Sequence, residues 1–186
     1  NNSRTYLIFN SNGEHLESLN TTSISLPSLL IQNIHWGKDD TQLVLTASKW
    51  YPPPGGNYES DSKIFNVLLL NNKVKSLRQI VQQKGVNLGF SSVIVSPNRN
   101  YIGVLGTLNG EDFGSNQQIS IFDINGKLIQ EGITKEVGPN LRGFSWSPKE
   151  DMLAVSNTLG EVFSLSIKGK ATKILDKAED PHWSPI

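Results

Sequence analysis

The sequence predicts an all-β chain built from repeated four-stranded antiparallel units. Three observations carry that expectation. A strand–turn–strand stretch returns several times in one internal register, a second kind of hairpin alternates with it, and no segment holds a helical period that strand spacing does not explain better.

The first hairpin is aligned on a Ser-Pro pair. Trp146-Ser147-Pro148 is followed, five residues after the proline, by Leu153-Ala154-Val155. Val95-Ser96-Pro97 leads to Ile102-Gly103-Val104 at the same offset, and Trp36-Gly37-Lys38 leads to Leu43-Val44-Leu45. An apolar strand a ends at Trp or Val. Polar residues (Lys149-Glu150-Asp151, Asn98-Arg99-Asn100, Asp39-Asp40) then turn the chain, and an aliphatic strand b returns. Trp183-Ser184-Pro185 opens a further copy just before Ile186.

The second hairpin is predicted at 6–19, 65–77, 119–130 and 162–175. Each is an apolar strand c, a turn pair and a more polar strand d. The turn pairs are Asn12-Gly13, Asn71-Asn72, Asn125-Gly126 and Lys168-Gly169. Asn-Gly predicts a type I′ turn, which needs positive φ at both central residues. The best helical candidate, residues 74–85, reads better as strand d plus a connector.

Two hairpin types in fixed order make units of four strands. Residues 37, 96, 147 and 184 hold corresponding places, at spacings of 59, 51 and 37. That is the pattern of β-propeller blades, and a β-sandwich would not explain the alternation. Residues 1–186 are read as one propeller domain or a part of one. Residues 5–19 supply strands c and d only, residues 31–79, 89–133 and 141–175 supply complete blades, and residues 180–186 supply one more strand a. The favoured expectation is a segment of a larger ring, with the open terminal blades as sites of self-association. The other is that the last strand pairs with the N-terminal hairpin and closes a small ring.

The Trp-Ser-Pro strand followed by Asp151-Met152-Leu153-Ala154-Val155 resembles the TolB-like propeller repeats and, more distantly, WD repeats. TolB-like repeats also occur in the propeller domains of prolyl-oligopeptidase-type peptidases. The resemblance covers most of the chain and implies architecture more than activity. It tilts the location toward the periplasm or cell surface. The usual Ser-Pro-Asp-Gly turn is degraded here to Ser-Pro-Lys-Glu and Ser-Pro-Asn-Arg, and Phe122-Asp123 is the nearest approach to a WD pair.

Composition narrows the function. Lys+Arg and Asp+Glu are 17 each, so the basic excess that a nucleic-acid footprint needs is absent. There are no cysteines, which excludes disulfides, thiolate catalysis and Cys-based zinc sites. No apolar run reaches the roughly 18 residues of a membrane-spanning helix. Nucleophile-elbow, P-loop, dinucleotide and zinc-protease motifs do not occur in the sequence. No cofactor, metal or catalytic residue is therefore expected.

In an antiparallel a-b-c-d unit the a–b and c–d turns share one rim, and the b–c loops share the other with the d–a connectors. The first rim is uniformly tight. The second holds all the length variation: residues 49–62, residues 109–116, and only residues 157–161. Binding residues concentrate on loops set by a rigid scaffold. A protein or peptide partner is thus expected on this rim, at Trp50, Tyr51, Pro53 and Tyr58 around a Pro-Pro-Pro-Gly-Gly run, and at Glu111, Asp112 and Phe113. The bland reading of 49–62 is a hairpin extension packed on its own scaffold. Glu111 and Asp112 have the hard oxygens a cation takes, although two adjacent carboxylates in a turn are ordinarily just solvated. Asp123-Ile124-Asn125-Gly126 looks faintly like a calcium loop, but its repeat partners are plain turns. His35 and His182 each precede a strand-a Trp, which makes them repeat features rather than ligands, and His15 stands alone. The alternative function is a propeller module of a larger peptidase-type enzyme whose catalytic domain lies outside these residues.

Overall fold

A computed structural model describes residues 5–9, 12–20, 30–36, 41–51, 59–70, 73–86, 90–107, 117–138, 140–178 and 181–183. The strands are β1 (Thr5–Phe9), β2 (His15–Asn20), β3 (Leu30–Trp36), β4 (Gln42–Tyr51), β5 (Glu59–Leu70), β6 (Lys73–Val86) and β7 (Phe90–Val95). They continue with β8 (Tyr101–Thr107), β9 (Gln117–Asp123), β10 (Leu128–Gln130), β11 (Leu141–Trp146), β12 (Met152–Asn157), β13 (Val162–Ser166) and β14 (Ala171–Leu175). The chain is all-β. Three four-stranded antiparallel sheets follow in order, β3-β4-β5-β6, β7-β8-β9-β10 and β11-β12-β13-β14, after a two-stranded sheet of β1 and β2.

The sheets pack through the alternation of their strands. Successive side chains point to opposite faces, so one strand can feed two interfaces. On β8, Ile102 and Val104 join Val44 and Ile64 of the first sheet. Its next apolar residue, Leu105, joins Phe144, Trp146, Leu153, Val155 and Leu165 of the third. Each such aliphatic side chain removed from water contributes about 1.5–3 kcal/mol. Gly103 sits between those residues for a steric reason. A Cβ there would lie 2.6 Å from Phe144 Cε2 and 3.2 Å from Trp146 Cζ2, so the bare backbone makes room for both rings.

The strand-a residues are tied from sheet to sheet. Trp146 Nε1 donates to the Ile94 carbonyl at 3.1 Å, and Trp183 Nε1 donates to the Ser145 carbonyl at 3.3 Å. Ile94 and Ser145 both directly precede the aligned motif residue, so this is one bond made twice. Ser145 Oγ also donates to the Pro181 carbonyl at 2.7 Å. At the position equivalent to Ser145, His35 is hydrogen-bonded to the backbone of Val93, the counterpart of Pro181. Residues 181–183 thus dock on β11 as β11 docks on β7, although they carry no ladder of their own. Residues 180 and 184–186 of the expected last strand lie outside the described residues.

The turns correct one expectation. Asn125 does not have positive φ; only Gly126 does, at 89°. Gly126 N donates to the Asp123 carbonyl and Asp123 N to the Lys127 carbonyl, which is a type I turn closed by a left-handed glycine. Asp123 Oδ1 accepts from Asn125 N and Lys127 N, both at 2.9 Å, and this local capture selects the turn. Asn157–Glu161 and Ser166–Lys170 repeat the design, with Gly160 and Gly169 in the same place. The Ser-Pro turns put Arg99 and Glu150 at φ 60° and 61°, where the resembled family has its glycine.

Two boundaries also differ. The outer strand of the first sheet runs through Val86 rather than stopping near residue 79, and β5 reaches back to Glu59. Register shifts accommodate the length; one leaves Ile80 as an extra residue on β6, between Val81 and Gln79. That bulge meets the next sheet, because the backbone of Gly126 packs directly against Ile80.

Candidate functional site

The two rims are built differently. On the a–b and c–d rim the same hydrogen bonds recur. Ser96 Oγ accepts from Tyr101 N at 3.0 Å, and Ser147 Oγ accepts from Met152 N at 3.1 Å. Ile124 N donates to the Asn100 carbonyl and Ile167 N to the Asp151 carbonyl, tying each c–d turn to the a–b turn of its own sheet. Glu150 then crosses between sheets. Its Oε1 accepts from Asn98 N and its Oε2 from Asn100 Nδ2 at 2.8 Å. The carboxylate is buried, so its left-handed backbone is held against a cost of about 1–3 kcal/mol by these bonds and its packing. In the second and third sheets, whose turns are described, this rim has little freedom to vary.

The opposite rim differs from sheet to sheet. Ser48 pairs with Ser62 in the first sheet, as Thr107 pairs with Gln117 in the second. Beyond that level the first sheet continues for three more rows across β4, β5 and β6. They are Lys49–Asp61–Lys84, Trp50–Ser60–Gly85 and Tyr51–Glu59–Val86. At about 3.3 Å per residue these rows carry the arm roughly 10 Å beyond the level of the last described row of the second sheet. Position 50 has the strand parity of Val44, which packs toward the second sheet.

The arm corrects the reading of 49–62 as one loop. Residues 49–51 and 59–62 are strand, so Trp50 and Tyr51 lie in β4. Pro53 and Tyr58 fall in 52–58, outside the described residues. Glu111, Asp112 and Phe113 fall in 108–116, also outside them. The structure therefore brings the backbone of positions 50 and 51 to the variable rim.

The third sheet closes this rim tightly. Asn157 Oδ1 accepts from Leu159 N and Glu161 N at 3.0 and 3.1 Å. Glu161 is held below its ordinary range by hydrogen bonds from Lys173 and then Asn157. Lys173 is raised by Asp176 and then Glu161, with Nζ 2.6 and 2.8 Å from their oxygens. Leu159 stands exposed at the tip.

The histidines occupy separate places. His15 is exposed, 2.9 Å from Ser18 Oγ and edge-on to Phe9. His182 is exposed. Burial lowers the pKa of His35, against a smaller upward pull from its bond to Val93. Among the described residues no group of three or more His, Asp or Glu side chains could hold a metal ion.

Sequence reasoning missed one feature, a cavity of about 260 Å³ between β1 and the first sheet. Tyr6, Leu7, Ile8 and Phe9 line one side, and Ile34, His35, Trp36 and Leu43 the other. The available signal was the unbroken apolar run from Tyr6 to Phe9, where a half-exposed strand would alternate.

What the fold defines is an all-β chain of successive four-stranded antiparallel sheets. No family model and no curated protein matches the chain. Among solved structures it is similar to a prolyl endopeptidase described for the role of inter-domain dynamics in catalysis and specificity. The identity is 12% and the TM-score 0.39, over 91% of this chain and 30% of that one. The chain thus spans about 30% of that protein's length.

Proposed function

We propose that the chain is a β-propeller module of TolB-like type that holds a protein or peptide partner on its b–c rim. The single observation behind this reading is the contrast between the rims. One is locked, among the described residues of the second and third sheets, by a repeated set of turn hydrogen bonds and by the inter-sheet bonds of Glu150. The other carries a three-stranded arm on the first sheet and a minimal turn on the third. A rigid scaffold that varies only on one side is how binding surfaces are commonly made.

In this reading the partner is met by Trp50 and Tyr51 of the arm, by Pro53 and Tyr58 of the connection between β4 and β5, and by Glu111, Asp112 and Phe113 of the connection between β8 and β9. Aromatic anchors surrounded by polar residues are the usual composition of an interface core. The module itself carries out no chemistry.

The test is deletion of Tyr51–Ser60. The thermal transition should stay nearly unchanged, because removing surface chain alters closure entropy little. Binding to a partner recovered with the intact protein should be lost. Unfolding on deletion would show the arm to be structural. A nucleophile elbow in the surrounding reading frame would instead make this the propeller module of a peptidase-type enzyme.

A further inference from the structure

We infer that Leu159, at the tip of the b–c turn of the third sheet, is an apolar anchor that enters a small uncharged pocket on a protein partner. The inference rests on the partner-binding reading of this rim and adds what the partner must present.

Three turns share one design. Asp123–Lys127, Asn157–Glu161 and Ser166–Lys170 each close with a bond from the first amide to the last carbonyl and one from the fourth amide to the first carbonyl. In each, the first side chain accepts from the last amide. In each, the second amide donates to a carbonyl of a neighbouring segment: Ile124 N to Asn100, Thr158 N to Asn140 and Ile167 N to Asp151. The backbone path is shared, so the side chains can be compared place by place.

At the second place both c–d turns hold an isoleucine. Ile124 is buried in the core between the first and second sheets, and Ile167 packs against the core between the second and third. At the third place they hold polar residues that face water, Asn125 and Lys168. The b–c turn inverts both places. Its second residue is the exposed Thr158, and its third is Leu159, 77% exposed. A lone exposed leucine is ordinary on a protein surface. This one stands where both sister turns are polar, and on the rim that varies.

The tip is rigid. Asn157 Oδ1 accepts from Leu159 N as well as Glu161 N, Asn157 Nδ2 donates to the Val137 carbonyl at 3.2 Å, and Ala178 N donates to the Gly160 carbonyl. A backbone fixed before contact loses little freedom on binding. The charges around the tip also balance. Glu161 and Asp176 both meet Lys173 Nζ, and Lys177 lies beside Gly160, where an added Cβ would stand 3.4 Å from Lys177 Cα. Two carboxylates against two ammonium groups offer a charged partner no field to follow. The complement of this surface is therefore an apolar pocket without charge, and an apolar side chain ringed by polar groups is the arrangement of an interface anchor.

The probe is a phage-displayed library of random peptides selected on the intact protein, with the recovered peptides synthesised and titrated by anisotropy. Uncharged apolar sequences are expected. Leu159→Ser should weaken their binding by at least about tenfold, as loss of a hot-spot side chain does. It should leave the thermal transition unchanged, because the side chain is already mostly in water. Lys168→Ser, at the same place of a sister turn on the other rim, should alter nothing. Raising salt from about 50 to 500 mM should change the affinity by less than about threefold. Peptides that ignore Leu159→Ser, or a selection that yields none, overturn the inference. The two readings fail separately. Peptides lost on deletion of Tyr51–Ser60 but kept by Leu159→Ser leave the rim reading standing without this anchor. Peptides lost with Leu159→Ser but kept on the deletion support the anchor and overturn the arm's part in binding.

Discussion

Gly126→Ala is the sharpest test of how the first two sheets meet. Two costs add at this position. The backbone holds φ at 89°, which an L side chain adopts at about 1–2 kcal/mol. The new Cβ would lie 2.5 Å from the Ile80 carbonyl oxygen and 2.7 Å from Ile80 Cβ. That clash is with backbone in a bulge locked by ladders on both sides of it, and forcing extra volume into such a place costs about 1–3 kcal/mol. The expected loss is roughly 2–5 kcal/mol. Gly169 occupies the same place in the next turn, with the same φ of 89°, but its nearest neighbour is 3.8 Å away. Gly169→Ala should therefore lose only the conformational part, about 1–2 kcal/mol. Urea unfolding of both variants, fitted for midpoint and slope, separates the two. Equal losses would refute the packing of the Gly126 turn on Ile80.

Other outcomes follow from the inter-sheet contacts. Trp146 is 5% exposed and stacked on Tyr101, so Trp146→Ala should cost about 3–5 kcal/mol. Trp146→Phe should cost about 1–3 kcal/mol, mainly through the Ile94 carbonyl left without its donor. A loss below about 1 kcal/mol for the alanine variant in denaturant unfolding would refute the core assignment. Glu150→Ala removes the acceptor of Asn98 N and Asn100 Nδ2 and should destabilise by about 1–3 kcal/mol in the same assay. His35 has its pKa lowered in the fold, so the neutral ring is the form the fold holds. Its contribution is complete above the unfolded value of about 6.5 and is lost as pH falls below that toward the folded value. Thermal melts from pH 7.5 to 5 should show a downward slope that His35→Gln flattens.

Much of the strand plan was legible because the apolar positions repeat in register. Leu43, Ile102 and Leu153 align by sequence, and each lies in the second strand of its sheet, fully buried. The turn type was not legible from Asn125-Gly126 alone. The deciding group is the carboxylate of Asp123, placed to accept two backbone donors, and Asn157 and Ser166 play that part in the other turns. Arg99 and Glu150 at positive φ were hidden too, because neither residue type favours that region; local turn bonds from Arg99 N to Ser96 and from Glu150 N to Ser147 close the turns, and inter-sheet bonds add to them at Glu150. The arm was obscured by Pro52-Pro53-Pro54-Gly55-Gly56, which signals a loop while saying nothing of how far the flanking strands extend. On its outer side the run Gln82-Gln83-Lys84 has no period-two pattern to announce a strand, so pairing with β5 defines it.

The central claim is that one rim meets a partner and the other does not. Photo-crosslinking tests it directly, with a photoreactive residue placed singly at Tyr51 in the arm or at exposed Lys149 in the opposite a–b turn. A partner adduct is expected from position 51 and none from position 149. Adducts from position 149 alone, or equally from both, would contradict it.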